Sequence, residues 1–263
     1  MNMLIEKLKP KERRGSKPRC HFLTHGKADE VAAALTALVA PFASVSPEDC
    51  WMPVGFSDVQ EAELNRAPRL LNAQIRSQLG AWWLPADRQT ARTPNFDIAS
   101  TCTIGGTPGL LLFEAKAHAQ ELRKEEVGRA LDADSSDERR ASHGTIGTAI
   151  AEAADGLARA TGAPCHISRD THYQMSNRFA WAWKLTELGV PVVLVYLGFL
   201  GADEMQDQGA PFASHADWQQ LVQTHSAPLF QLDPWERRWT CNGHSLVPLI
   251  RSASQSLAEQ DAC

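Results

Sequence analysis

The chain has 263 residues, 43% of them hydrophobic and 22% charged, with a formal net charge of −5. This is the make-up of an ordinary globular protein. It excludes a membrane-spanning chain, because no apolar run approaches the roughly 20 residues a span needs, and the acidic balance argues against a general polyanion binder. The six cysteines are scattered with no Cys-x-x-Cys pair, so they read as free thiols rather than a disulfide or zinc framework. With no apolar signal core near the start, the reading is cytoplasmic.

The charge is uneven. Residues 1–27 hold eight Lys or Arg against two Glu, and the rest of the chain carries the acidic excess. That opening stretch reads as a basic, flexible arm. Residues 28–38 follow with Val31, Leu35 and Leu38 on one helical stripe, ended by Pro41. Residues 58–66 read as a second helix, with Asp58 and Glu61 as a capping box and Glu63 left outside it. A third helix runs from Pro68 to about Leu79. Ala81 to Leu84, aromatic and bounded by Gly80 and Pro85, fits a first strand.

Residues 94–116 form two strands about a Gly105-Gly106 turn, or about a longer turn reaching Pro108. Alternation puts Phe96 and Ile98 on one side and Asp97 and Ala99 on the other. After the turn, Leu111 and Phe113 share a face, and Leu112, Glu114 and Lys116 share the opposite one. A two-residue turn sets Asp97 opposite Glu114. A four-residue turn sets it opposite Lys116. Either way the three charges lie on one side of the sheet, about 5 to 7 Å apart at Cβ. Glu114-Ala115-Lys116 is the only acidic-x-Lys triplet in the chain, and it closes the apolar run from Leu110 to Phe113.

Beyond the hairpin, residues 121–168 read as a helical insertion where recognition would reside, with Arg123 and Arg129 as candidate phosphate contacts. Residues 170–188 give the strongest helical pattern, with Asp170 as its cap and Gly189 as its stop. Gln174, Asn177, Arg178 and Trp181 share one of its faces. Pro191 to Gly198 is a continuous apolar run, the mark of a strand buried on both faces. Residues 201–263 form a C-terminal extension packed on the core. It holds a short helix from Ala216 to His225, a hairpin about Asn242-Gly243, and a soft tail after Arg251.

Two carboxylates at hairpin spacing can share one hard divalent cation. Mg2+ takes oxygen ligands, commonly one or two carboxylates plus water and substrate phosphate. A neighbouring lysine can hold or activate a water beside it, its stem packed while its amine reaches the metal-bound water. Pro94, Asp97 and Glu114-Ala-Lys116 resemble the signature of the PD-(D/E)xK nuclease superfamily, with the proline three residues before the aspartate rather than adjacent. As an order of elements the resemblance runs from about Ser57 to Leu200. It implies an α/β, restriction-endonuclease-like core of helix, three-strand antiparallel meander, helix and buried strand across residues 28–200. It also implies a Mg2+-dependent nuclease, with Mn2+ as a substitute, that hydrolyses DNA phosphodiesters through a metal-activated water.

On that resemblance Asp97 and Glu114 hold the metal, Glu63 from the upstream helix adds a ligand, and Lys116 acts on the water. Gln174 supports the site from the crossing helix, and Arg178, Arg123 and Arg129 contact nucleic acid. No small-molecule cofactor is implied, and a homodimer is compatible. The alternative is a catalytically silent fold of this kind that binds nucleic acid or protein.

Overall fold

The computed structural model describes residues 3–132 and 134–257. In chain order the regular elements are α1 (Ser16–Leu23), α2 (Ala28–Val39), β1 (Trp51–Met52), β2 (Ala62–Glu63), α3 (Ala73–Trp83), β3 (Asn95–Phe96), β4 (Ile98–Ile104), β5 (Thr107–Lys116), α4 (Ala119–Arg123), α5 (Asp137–Thr161), α6 (Tyr173–Glu187), β6 (Val192–Leu200), α7 (His215–Ser226), β7 (Trp239–Cys241) and β8 (His244–Ser254). Six strands form one mixed sheet in the order β1-β4-β5-β6-β8-β7, and β2 pairs with β3 in a small second sheet. β1, β4 and β5 are antiparallel. β6 joins β5 in parallel and β8 joins β6 in parallel, so β6 sits centrally, as its unbroken apolar run requires.

The sheet is a middle layer. Alternate residues of β5 and β6 (Leu111, Phe113, Val193, Val195) pack with Val31, Leu35 and Val39 of α2 and Cys20 of α1. Their neighbours (Leu110, Leu112, Val192, Leu194) pack with Leu79 and Trp83 of α3, Ile150 of α5, Phe179 and Trp183 of α6 and Trp218 of α7. Helices on both faces make this an α/β architecture. Where α5 crosses α6, only glycine fits: a Cβ on Gly156 would lie 2.1 Å from Trp183 Nε1. Among the described residues no helix is long and apolar enough to cross a membrane.

The β4–β5 turn is the two-residue Gly105-Gly106, with Ile104 opposite Thr107. Both glycines have positive φ, 58° and 84°, the backbone of a type I′ turn. Asn242-Gly243 makes the same kind of turn between β7 and β8, with φ of 52° and 81°.

Several expectations are corrected. The basic opening stretch is folded from residue 3 onward: Ile5, Leu8 and Cys20 are buried, and Arg19 is buried against Glu204. Residues 58–66 are not a helix, so there is no capping box. Glu63 and Ala62 pair with Asn95 and Phe96, and only Leu64–Arg66 makes a single 3-10 turn. Cross-strand pairing overrides the local helical pattern there. Ala81 to Leu84 ends α3 instead of forming a strand, because Leu79 and Trp83, four apart, are buried on one helical stripe. Helix α3 starts at Ala73 on an Asn72 cap rather than at Pro68.

Helix α6 begins at Tyr173 on His172 rather than on Asp170, whose carboxylate pairs with Arg169. The insertion at 121–168 is largely α5, and it buries Ile146, Ile150, Ala153 and Leu157 in the main core. The C-terminal region is part of the sheet itself, since β8 pairs along the length of β6 and reaches Ser254. The final residues, 258–263, lie outside the described residues.

Candidate functional site

Strand alternation breaks at Asp97. Phe96 belongs to the core on the α6 side and Ile98 to the core on the α2 side, although simple alternation puts both on one face. The break follows from pairing, since Phe96 is opposite Ala62 in the small sheet and Ile98 is opposite Phe113 in the large one. Asp97 sits at the bend between them. Its N–H donates to Phe113 O at 3.0 Å, and its carboxylate accepts from the Ala115 N–H at 2.7 Å. It therefore meets β5 beside Glu114, on the register of the two-residue turn.

Glu114 is 1% exposed. Its Oε1 accepts from the Lys116 amine and from Gln174 Nε2, the latter at 2.5 Å. Its Oε2 accepts from Arg178 Nε at 2.5 Å. Arg178 also donates to Asn177 Oδ1 at 2.6 Å and lies over the Phe96 ring, 4.9 Å from its centroid. The polar stripe of α6 thus faces the sheet at this point. Phe179, Trp181 and Trp183 carry the apolar packing further along the same helix.

Lys116 is buried as well. Its amine contacts Glu125 Oε1 at 2.7 Å in addition to Glu114. Glu125 stands on the single 3-10 turn Lys124–Glu126 that follows α4, and it is buried. Sequence reasoning passed over Glu125, because nothing in a charged surface-like run marks one glutamate as turned inward.

The acidic groups are driven in opposite directions. Burial raises Asp97 to about 8, with the Glu114 charge adding to the effect. Burial also acts on Glu114, but Arg178 and Lys116 outweigh it and hold that carboxyl below its usual range. Burial lifts Glu125 to about 7 against the pull of Lys116. Lys116 is held well above the ordinary lysine range, because Glu114 and Glu125 outweigh the burial that would lower it.

A pocket of about 460 Å³ opens over this cluster. Asp97, Glu114, Gln174, Asn177 and Arg178 line it, with Glu61, Asn95, Arg92, Arg129 and Tyr173 around them. Lys116 and Glu125 do not line it; they lie behind Glu114. Glu63 does not line it either. Glu63 accepts from the Thr93 N–H at 2.9 Å and from Arg66 at 3.5 Å, which occupy its carboxylate, and Glu61, two residues earlier, lines the pocket instead. Glu61 accepts from Asn95 Nδ2 at 3.3 Å and pairs with Lys17 at 2.9 Å. Arg129 donates to the Tyr173 hydroxyl at 3.0 Å at the rim. Arg123 faces a separate recess with Glu126, His172 and His225.

The donor set suits a hard divalent cation. No group of three or more His, Cys, Asp or Glu among the described residues could hold a metal, so an ion here would have two carboxylates at most and would complete its shell with water, as Mg2+ commonly does. Asp97 stands beside Glu114 in the pocket lining, and Asn95 Oδ1 there is a buried acceptor without a partner. Comparison with family models, with curated proteins and with solved structures returns no match.

Proposed function

We propose that the chain is a Mg2+-dependent nuclease that hydrolyses DNA phosphodiesters. The observation that carries the reading is the convergence of Asp97, Glu114 and Gln174 at one arginine-rimmed pocket, with the Lys116 amine bonded to Glu114 from behind. Asp97 and Glu114 would hold the ion. When bound, Mg2+ would supply Lewis-acid polarisation of a phosphate oxygen and lower the pKa of a coordinated water. The chain's own residues do the rest. Gln174 and Arg178 fix the Glu114 carboxylate. The Lys116 charge, set behind Glu114, adds a fixed positive field and is held too firmly as an ammonium to serve as a base. Arg129 and Arg92 at the rim suit backbone phosphates, and contacts of that kind need only local positive charge in an acidic protein.

The test is plasmid nicking over a Mg2+ titration, beside Mn2+ binding measured directly. Wild type should nick and bind Mn2+. Asp97→Ala should lose both while its thermal melt stays cooperative. Absence of metal binding in the wild type sinks the reading.

One observation favours a second reading. Both oxygens of Glu114 already have cationic or amide donors, as in a site that closes on itself and serves as a binding module. DNA binding without Mg2+-dependent cleavage would select it.

A further inference from the structure

We propose that Glu125 is the positioning residue for Lys116, fixing the amine behind Glu114 and so deciding where its charge acts on the pocket. The inference rests on the hydrolase reading above and deepens it.

Three observations carry it. One amine bridges two buried carboxylates, bonding Glu125 Oε1 at 2.7 Å and Glu114 Oε1. A lysine has four rotatable stem bonds, and a single carboxylate partner would leave its amine free to swing; the second partner removes that freedom. Next, Glu114 lines the pocket while Lys116 and Glu125 do not. Glu125 therefore draws the amine to the protein side of Glu114, away from the solvent side. Last, Glu125 is itself incompletely satisfied. Its Oε2 is buried without a hydrogen-bond partner, and the buried Tyr196 hydroxyl, which feels the Glu125 charge, is also unpartnered. A dry carboxylate with unused acceptors costs stability. A buried ion pair can commonly be replaced by apolar residues without loss. Folding alone is thus a poor reason for a glutamate at this place, whereas holding an amine at a fixed point is a good one.

The test uses the full chain and two variants. Glu125→Gln keeps the shape and an acceptor but loses the charge. Glu125→Asp keeps the charge but shortens the reach. The direct readout is the 1H–15N signal of the Lys116 side-chain ammonium in metal-free protein, assigned by its loss in Lys116→Met. Wild type should give a slowly exchanging signal, and Glu125→Gln should broaden or lose it. In the cleavage assay kcat for Glu125→Gln should fall about 10- to 100-fold, the range for outer residues that orient functional ones, with KM and Mn2+ affinity held within about threefold. Glu125→Asp should fall between the two, and it carries the test if Glu125→Gln melts early. An unchanged ammonium signal with unchanged kcat overturns the proposal. If the wild type does not cleave at all, the failure belongs to the hydrolase reading. The ammonium signal then decides alone: its loss in Glu125→Gln supports the role of Glu125, and its persistence overturns it.

Discussion

The two faces of β5 near its C-terminal end are built on opposite principles. Toward α1 and α2 the strand presents Leu111, Phe113 and Ala115, all buried among other apolar side chains. Toward α6 it presents Leu112 and then Glu114 and Lys116, equally buried but surrounded by Arg178, Gln174, Glu125 and Asp97. Sequence neighbours one residue apart therefore answer to different physics. On one face stability depends on filled volume. On the other it depends on each charge keeping its partner, because an ion buried alone costs several kcal/mol.

Shape-conserving substitutions should expose that difference most strongly. Leu111→Met changes little volume and should cost less than about 1.5 kcal/mol. Glu114→Gln is also close in shape, yet it leaves Lys116 and Arg178 buried with an uncharged partner. It should cost about 3 to 5 kcal/mol, the usual range for breaking a buried pair. Urea unfolding of the two variants measures both. Equal losses would mean that the charged face is packed like the other one and that the network contributes nothing specific.

That contrast also marks how far the sequence could be read. The hairpin, its glycine turn, the buried strand β6 and the α6 stripe were readable, because period and turn chemistry are local properties. Gln174 was readable for the same reason: three polar residues on one face of a helix that crosses a sheet. Glu63 and Glu61 were exchanged, because Glu63 is occupied by the Thr93 N–H while Glu61 meets Asn95, contacts distant in sequence that no local pattern announces. Trp82 and Trp83 suggest a strand by residue type, and only the packing of Leu79 and Trp83 makes them helical. Glu125 was hidden by its neighbours, Lys124 and Glu126, which are exposed. Lys116→Ala would strand Glu125, so Lys116→Ala should disturb folding as well as rate.

Between the faces there should also be a difference in response to pH. Asp97, at about 8, and Glu125, at about 7, both lie above their ordinary values. Through that window the folded state binds more protons than the unfolded one, so stability should fall as pH rises. Below about 6.5 the buried His225, pushed down to about 4 by burial, His172 and Lys116, acts in the opposite sense. The clean interval is therefore from about pH 6.5 to about pH 8, where each proton of difference is worth at most about 1.4 kcal/mol per pH unit. Asp97→Asn should flatten the decline, and Leu111→Met should leave it alone. Mg2+ should raise the wild-type melting temperature most at the upper end of the interval and should do little for Asp97→Asn. A stability that rises with pH across this interval would contradict the burial of Asp97 beside Glu114.

The smallest expected effect lies at the rim of the charged side. Arg129 is exposed, stands over the Tyr173 ring at 5.6 Å and lines the pocket above Asp97 and Glu114. Arg123 is also exposed, but it lines the neighbouring recess with His172 and His225. If DNA lies across the pocket, only the first arginine meets its phosphates. Arg129→Ala should then weaken binding by a similar factor for every sequence tested and reduce the log–log salt slope by about 1. Arg123→Ala should leave both nearly unchanged. Neither should alter stability beyond about 0.5 kcal/mol, since surface substitutions away from buried partners rarely do. Fluorescence anisotropy with a labelled duplex across a salt series measures the slope, and a urea melt of each variant checks the fold. Equal salt slopes for the two variants would show that the nucleic acid does not follow the pocket, and the path of the substrate would have to be redrawn through the recess that Arg123 lines.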